Sequence, residues 1–170
     1  VGWDGACATS PDGVTWTNQP SLKSAVGSST MRAVTWTGTQ FCAVGDGGEC
    51  ATSPDGVAWT NRPSLASTVS SRDVNSVVWD GSQFCAVGET GRCATSPDGV
   101  DWTLQTSLQT TTSSIMNSVA WTGTQFCAVG WDGACATSPD GVTWTNRTGL
   151  LSVLTHATEK TVNCLIWDGD

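Results

Sequence analysis

An all-β fold of four repeated sheets, each of four antiparallel strands set around a common axis, is what this sequence predicts, and three observations predict it. The pattern W-x-G-x-Q-F-C-A-V-G-x-x-G-x-C-A-T-S-P-D-G-V-x-W-T occurs in four imperfect copies, with its S-P-D-G core at Ser10, Ser53, Ser96 and Ser138, at spacings of 43, 43 and 42. Such a period marks stacked supersecondary units that cannot bury their apolar faces alone. No stretch has helical periodicity, and each copy reads as four short strand-like runs separated by Asp-Gly and Pro-Asp-Gly turn signals. The copies are also cut by the ends: the sequence begins inside a copy at Val1-Gly2 and stops at Trp167-Asp168-Gly169-Asp170, just before the next Q-F-C-A. Radial repetition of such sheets gives a β-propeller. An open β-solenoid stack is the alternative, but a propeller whose closing blade is shared between the termini explains the interrupted copy.

The elements follow from the third copy. Asn75-Ser76-Val77-Val78-Trp79 is β-branched and aromatic and forms a first strand. Asp80-Gly81 is a two-residue hairpin signal. Gln83 to Gly88 is a second strand, Cys93-Ala94-Thr95-Ser96 a third, and Pro97-Asp98-Gly99 a turn into a fourth at Val100-Asp101-Trp102-Thr103. Residues 1–170 then form one small four-bladed propeller of about 42 residues per blade. Three blades occupy 31–61, 74–104 and 117–146. The closing blade takes its third and fourth strands from 1–18 and its first from 162–170, with its second reduced to Val1-Gly2. The polar linkers 19–31, 62–73, 105–116 and 147–161 carry no assigned structure.

Composition narrows the function. Only 13% of residues are charged, the net charge is -8, and seven Lys and Arg form no basic run. Nucleic acid is excluded as a partner because phosphate binding needs clustered positive charge. No apolar run approaches the roughly eighteen residues of a membrane span, so no membrane insertion is expected. The first residue is not Met, and the absence of a leader says little. Eight Cys with few Lys and many Ser and Thr suggest an oxidising, extracellular or cell-surface setting.

Ser10-Pro11-Asp12-Gly13-Val14-Thr15-Trp16 and its three copies resemble the Asp-box of BNR-type propellers, shortened by one residue between Asp and Gly. The whole pattern is also similar to the A-V-G…T-S-x-D-G-x-x-W repeats of bacterial and phage surface proteins, where the positions of Cys42 and Cys50 are more often aliphatic. The resemblance covers all four repeats, about half the chain by residue. It implies that Asp12, Asp55, Asp98 and Asp140 are structural, accepting hydrogen bonds from turn backbone. It also raises sialidase activity, against which the chain has no Tyr for the nucleophile such enzymes use. His156 is the single His and lies in a linker, so neither a His-based triad nor a His-rich metal site can be built. No catalytic residues, metal site or cofactor are expected.

Cys42/Cys50, Cys85/Cys93 and Cys127/Cys135 share one spacing and are symmetric about a turn, which places the members of each pair opposite one another in a hairpin. Three intrablade disulfides are expected, with buried thiols or metal sites as alternatives. Cys164 aligns with Arg32, Ser76 and Ser118. Position 76 is read as facing 85, so Cys164 faces the missing second strand and Cys7 borders it from the other side. These two are expected to bond to each other or to an incoming strand, unless Cys164 is an idle thiol. Eight Trp fall at fixed repeat positions and are expected in the packing between blades. Trp3 and Trp131 take the turn that carries Asp46 and Glu89 elsewhere, and are candidate contacts for a sugar ring or a neighbouring subunit. The expected function is a non-catalytic extracellular assembly module, a filament subunit joined to itself by strand complementation. A glycan-binding lectin is the alternative, since small Trp-rich propellers of this repeat length resemble several lectins.

Overall fold

The computed structural model describes residues 1–154 and 160–169. Three complete blades follow in order. The first is β3 (Met31–Trp36), β4 (Phe41–Gly45), β5 (Cys50–Ser53) and β6 (Thr60–Asn61). The second is β7 (Val74–Trp79), β8 (Phe84–Gly88), β9 (Cys93–Ser96) and β10 (Thr103–Gln105). The third is β11 (Met116–Trp121), β12 (Phe126–Gly130), β13 (Cys135–Ser138) and β14 (Thr145–Asn146). Each is an antiparallel meander. In the closing unit β1 (Ala8–Thr9) pairs with β2 (Thr17–Asn18) alone, and no strand is assigned over 162–167.

Three sequence expectations are corrected. The hairpin turn is one residue later than Asp80-Gly81: Trp79 pairs with Phe84, the Asp80 N–H donates to the Gln83 carbonyl at 3.1 Å, and Gly81-Ser82 make the turn. Asp80 Oδ1 fixes it by accepting from the Ser82 and Gln83 N–H groups at 2.6 and 2.8 Å. The fourth strand begins at Thr103, because Val100 and Asp101 are held in the box turn and Trp102 closes it. The linkers carry short helices: α1 (Ser21–Val26), α2 (Ser64–Thr68), α3 (Ser107–Thr112) and α4 (Gly149–Val153). At five or six residues they are too short to show a period, and packing rather than propensity sustains them. Leu22, Leu65 and Leu108 are fully buried from the first three. His156 and Asp170 lie outside the described residues.

Each first strand contains a bulge. The register shifts between Met31 and Ala33, Val74 and Ser76, and Met116 and Ser118. One extra residue is left unpaired and re-aimed: Arg32, Asn75 or Asn117. Asn75 and Asn117 each donate an amide N–H to the next blade, at the Met116 and Val162 carbonyls, 2.9 and 3.0 Å away. Arg32 instead reaches Asp46 and, at 2.7 Å, Asp73. These residues and Asn163 line a polar axial cavity of about 670 Å³.

The core lies between blades. In one cluster Cys42, Val44 and Cys50 of the first blade meet Val77, Phe84, Ala94 and Trp102 of the second. Cys85, Val87 and Cys93 meet Val119, Phe126, Ala136 and Trp144 in the same way. Gly45, Gly88 and Gly130 let the backbone entering each first strand approach closely; a Cβ on Gly88 would stand 2.0 Å from the Asp73 carbonyl oxygen.

Candidate functional site: the open seam of the closing blade

The site is best built from the contact that joins any blade to the next, because the molecule repeats it and then interrupts it. The contact starts at the S-P-D-G turn. In the third blade Ser138 Oγ accepts from the Gly141 N–H at 2.9 Å, and Asp140 Oδ1 accepts from the Val142 and Thr143 N–H groups at 2.8 Å each. Trp144 Nε1 donates to the Gly141 carbonyl at 3.1 Å. Asp12, Asp55 and Asp98 make equivalent bonds. Backbone N–H donation, from Thr15, Ala58, Val100 and Thr143 first in the respective boxes, holds all four carboxyls below their ordinary range. The Asp are thereby committed to the turn.

The finished turn is the socket for the preceding blade. Cys50 and Cys93 Sγ lie 3.8 and 3.6 Å from the Gly99 and Gly141 carbonyls, and Cys7 Sγ lies 4.0 Å from that of Gly56. Gln40 and Gln83 side chains donate to the Asp98 and Asp140 carbonyls at 3.0 and 2.9 Å. The N–H groups of Trp59, Trp102 and Trp144 donate to Ser21, Ser64 and Ser107 Oγ at the starts of the linker helices, at 3.0, 3.2 and 2.9 Å. These three Trp are only 8, 7 and 5% exposed.

Between the third blade and the closing unit the same parts stand unjoined. Trp16 is 62% exposed and Val14 is exposed beside it. A Cβ on Gly13 would meet nothing within 4 Å, whereas on Gly56, Gly99 and Gly141 it would press on the preceding blade's Thr9, Thr52 and Thr95. The helix-start serine is replaced by Gly149, which has no hydroxyl to offer.

The closing blade is therefore divided. Its first-strand segment rides on the third blade: Val162 N–H donates to the Gly130 carbonyl at 3.0 Å, and Leu165 N–H to Ser118 Oγ at 3.1 Å. Its outer part rides on the first blade, where Met31 N–H donates to the Gly2 carbonyl at 3.0 Å and Cys7 meets Gly56. The second-strand position between them holds no strand among the described residues. Its walls are apolar. Toward the first blade lies a small cavity of about 80 Å³ at Val1, Val34, Phe41 and Trp59. Toward the third blade lies one of about 200 Å³ at Ala120, Cys127, Leu165, Ile166 and Trp167. Val34, Trp36, Ile166 and Trp167 are exposed, although the Val77 and Val119 counterparts of Val34 are buried.

The cysteine expectations need correction. Cys42 pairs with Thr52 and Cys50 with Val44, so the partners are diagonal rather than opposed, and the other two hairpins repeat this. Diagonal positions stand farther apart than a disulfide spans without backbone movement. Cys42/Cys50 and Cys85/Cys93 are thiols with sulfurs 3.8 Å apart; Cys127 and Cys135 are thiols too. Cys164 corresponds to Ala33, Ser76 and Ser118, not to Arg32, and these pair with Val44, Val87 and Val129. By that register Cys164 belongs opposite Val1, and Cys7 opposite Val1 on the other side. The two would be about 9–10 Å apart, two strand spacings, too far to bond directly. Cys164 is an exposed thiol and Cys7 a buried one.

Trp3 and Trp131 sit in equivalent turns with Asp46 and Glu89, 84 and 49% exposed. Trp131 borders a cavity of about 290 Å³ with Ser114, Asp132 and Asn146. Among the described residues no group of three or more His, Cys, Asp or Glu could hold a metal ion, and no helix is long and apolar enough to cross a membrane. The axial residues Arg32, Asn75, Asn117 and Asn163 went unnoticed in the sequence as a set, since their shared role depends on the bulge; their place four residues before Trp36, Trp79, Trp121 and Trp167 was the available signal.

Radial four-stranded sheets joined by this contact define a repeat β-propeller. Residues 10–150 match the DUF6242 beta propeller domain, and the chain belongs to that family. No curated protein is similar to it. Among solved structures, YCF48 bound to D1 peptide is similar at a TM-score of 0.59 and 22% identity, over 83% of this chain and 46% of that one. YCF48 from Cyanidioschyzon merolae is similar at 0.59 and 17% identity, over 88% and 54%. PorZ, a surface component of the type-IX secretion system of Porphyromonas gingivalis, is similar at 0.51 and 14%, over 84% of this chain and 19% of that one. The chain thus spans about half the length of the YCF48 structures, and these likenesses carry the fold alone.

Proposed function

We propose that this propeller is a non-catalytic assembly module whose closing blade accepts a β-strand from a second copy of the chain. The observation that supports this best is the division of the closing blade, with an apolar-walled strand position between β1 and 162–167. Exposed strand edges are templates for pairing, and strand addition is a recurrent mode of association. The register sets the chemistry of the incoming strand. In the complete blades Phe84 and Ala86 face the preceding blade, while Cys42 and Val44 face the following one. The donor therefore alternates an aromatic and a small residue toward the third blade with small apolar residues toward the first. The contact centres on residues 1–7 and 162–170 and is head-to-tail, and head-to-tail contacts that do not close give filaments. The eight free thiols take away the support that disulfides would lend to an extracellular or cell-surface location. Light scattering after size exclusion, with electron microscopy, tests the reading. Concentration-dependent polymers are expected, converted to monomers by a peptide copying 39–45 with Ser in place of Cys. A monomer at every concentration that ignores the peptide overturns it, as does a longer natural polypeptide that fills the position with its own residues.

A second reading, a glycan-binding lectin, is favoured by the exposed Trp131 beside its polar cavity. Loss of glycan-array binding in a Trp3→Ala/Trp131→Ala variant supports it, and a blank array for the native chain removes it.

A further inference from the structure

The residues around the axis repeat from blade to blade, with one exception. Asn75 and Asn117 donate their amide N–H groups to the next blade, at the Met116 and Val162 carbonyls, and Asn163 holds the same place before Trp167. Arg32 breaks the pattern. Its Nε donates to Asp46 and its Nη2 to Asp73, the latter at 2.7 Å. The first blade thus lacks the amide bond that the second and third make. Stability does not explain the exchange. The Arg32 side chain is 41% exposed, and those of Asp46 and Asp73 are 39 and 29% exposed. Ion pairs so open to solvent contribute little. They also occupy two of the five N–H groups that a guanidinium carries. The others remain for a ligand in the axial cavity that Arg32 lines.

We infer that this axial cavity is a carbohydrate site, with Arg32 and Asp46 bonding the hydroxyls of a pyranose and Trp3 covering one face of its ring. Its volume of about 670 Å³ is that of a small-molecule site. Among the described residues, Arg32 is the one cationic side chain of the lining and Asp46 the one anionic side chain, and they are paired. No net side-chain charge is left for a phosphate or a polyamine. Donors and acceptors stand side by side instead: the Arg32 N–H groups, the Asp46 carboxylate, and the amide oxygens of Asn75 and Asn117, whose nitrogens bond the next blade. A hydroxyl both donates and accepts, so adjacent sugar hydroxyls satisfy such a set where a ligand of acceptors alone does not. Trp3 borders the same cavity and is 84% exposed, and its flat indole matches the C–H face of a pyranose. Its turn is fastened to the first blade by the Gly5 N–H, which donates to the Ser29 carbonyl at 2.9 Å. Arg32, Asp46, Asn75 and Asn117 belong to complete blades, so the polar part of the site is independent of how the closing blade is filled. The class of ligand rests on the glycan-binding reading. The place differs, being the axis rather than the cavity beside Trp131.

The test uses the full chain and saturation-transfer NMR with the methyl glycosides of glucose, galactose, mannose and N-acetylglucosamine. At least one is expected to receive saturation from the native chain. Arg32→Asn supplies the residue that the other blades carry, so it is expected to keep the urea midpoint while weakening the bound glycoside roughly tenfold, as loss of a charge-assisted bond does. Asp46→Asn is expected to weaken it similarly, and is read in place of Arg32→Asn if that variant does not fold. Trp3→Ala is expected to weaken it about fivefold, and Trp131→Ala to leave it unchanged. Full-strength binding by a folded Arg32→Asn or Asp46→Asn variant overturns the axial assignment; loss of binding in Trp131→Ala would then leave the glycan-binding reading standing without it. Saturation of none of the four glycosides also overturns the axial site, and the glycan-binding reading falls with it if the glycan array is blank as well.

Discussion

The seam between the first and second blades and the seam between the third and closing blades share the same box turn, and only one is shut. At the closed seam Trp102 is buried against Ser64, Gly99 carries the Cys50 sulfur, and Gln40 reaches the Asp98 carbonyl. At the open seam the box of residues 10–16 is fully formed, with Trp16 bonded to Gly13, yet Trp16 stays exposed. The lesson is that the box turn is local and self-sufficient, while blade packing depends on a second strand. In the closed seam β8 brings Phe84 and Ala86 onto the preceding blade. Without an equivalent, the box stands free at Gly13, and the third blade holds the 162–165 segment instead, through the Gly130 carbonyl, Ser118 Oγ and the Asn117 amide.

The largest effect should come from truncating the box tryptophans. Trp102→Ala is expected to cost about 3–5 kcal/mol, as for other buried aromatics, while Trp16→Ala stays within about 0.5 kcal/mol. Urea unfolding of both measures the difference, and equal losses would break the contrast between seams. A comparable test uses the glycine after each second strand. Gly88→Ala forces a Cβ onto the Asp73 carbonyl and is expected to cost about 1–3 kcal/mol through overpacking. Gly2→Ala meets nothing within 4 Å and should leave the urea midpoint nearly unchanged. Smaller still is the helix-start hydroxyl. Ser107→Ala leaves the Trp144 N–H without its acceptor, for an expected loss of about 1 kcal/mol. Gly149→Ser places a hydroxyl at the open seam and should add stability only when the strand peptide is bound, which thermal shift with and without peptide would show.

The smallest effect is acid sensitivity, and it should be the same at both seams. The four box carboxyls are lowered in the folded chain. Their contribution is therefore present above the ordinary carboxylate range and lost as pH falls through the lower folded values. Urea midpoints should fall as pH drops below about 4, where carboxylates begin to protonate. Asp12→Asn and Asp140→Asn should flatten the dependence equally. A steeper dependence for Asp140 would mean that the box draws on blade packing after all.

The repeat, its strands and its turns were legible because they are written locally. Cys93–Ser96 came out as a strand with its boundaries, and the S-P-D-G turns came out as turns, because Ser and Asp side chains satisfy neighbouring backbone. Pairing geometry was less legible. A turn placed one residue early, at Asp80-Gly81 rather than Gly81-Ser82, moved every cross-strand partner. It set Ser76 against Cys85 instead of Val87. The bulges at Arg32, Asn75 and Asn117 left no local mark, since an inserted residue shows only against its partner strand. The linker helices were illegible for a related reason: Leu22, Leu65 and Leu108 matter because a neighbouring blade covers them, not because they recur along a helix.

The sequence by itself determined the number of units, the all-β class and the box turn, all set by backbone hydrogen bonds and apolar periodicity over a few residues. Only the tertiary structure decided which thiols are covered, where the bulged residues point and which seam closes. Those depend on blades separated by some 40 residues in the chain, and a glycine carbonyl caps a sulfur only when the next blade has brought it there.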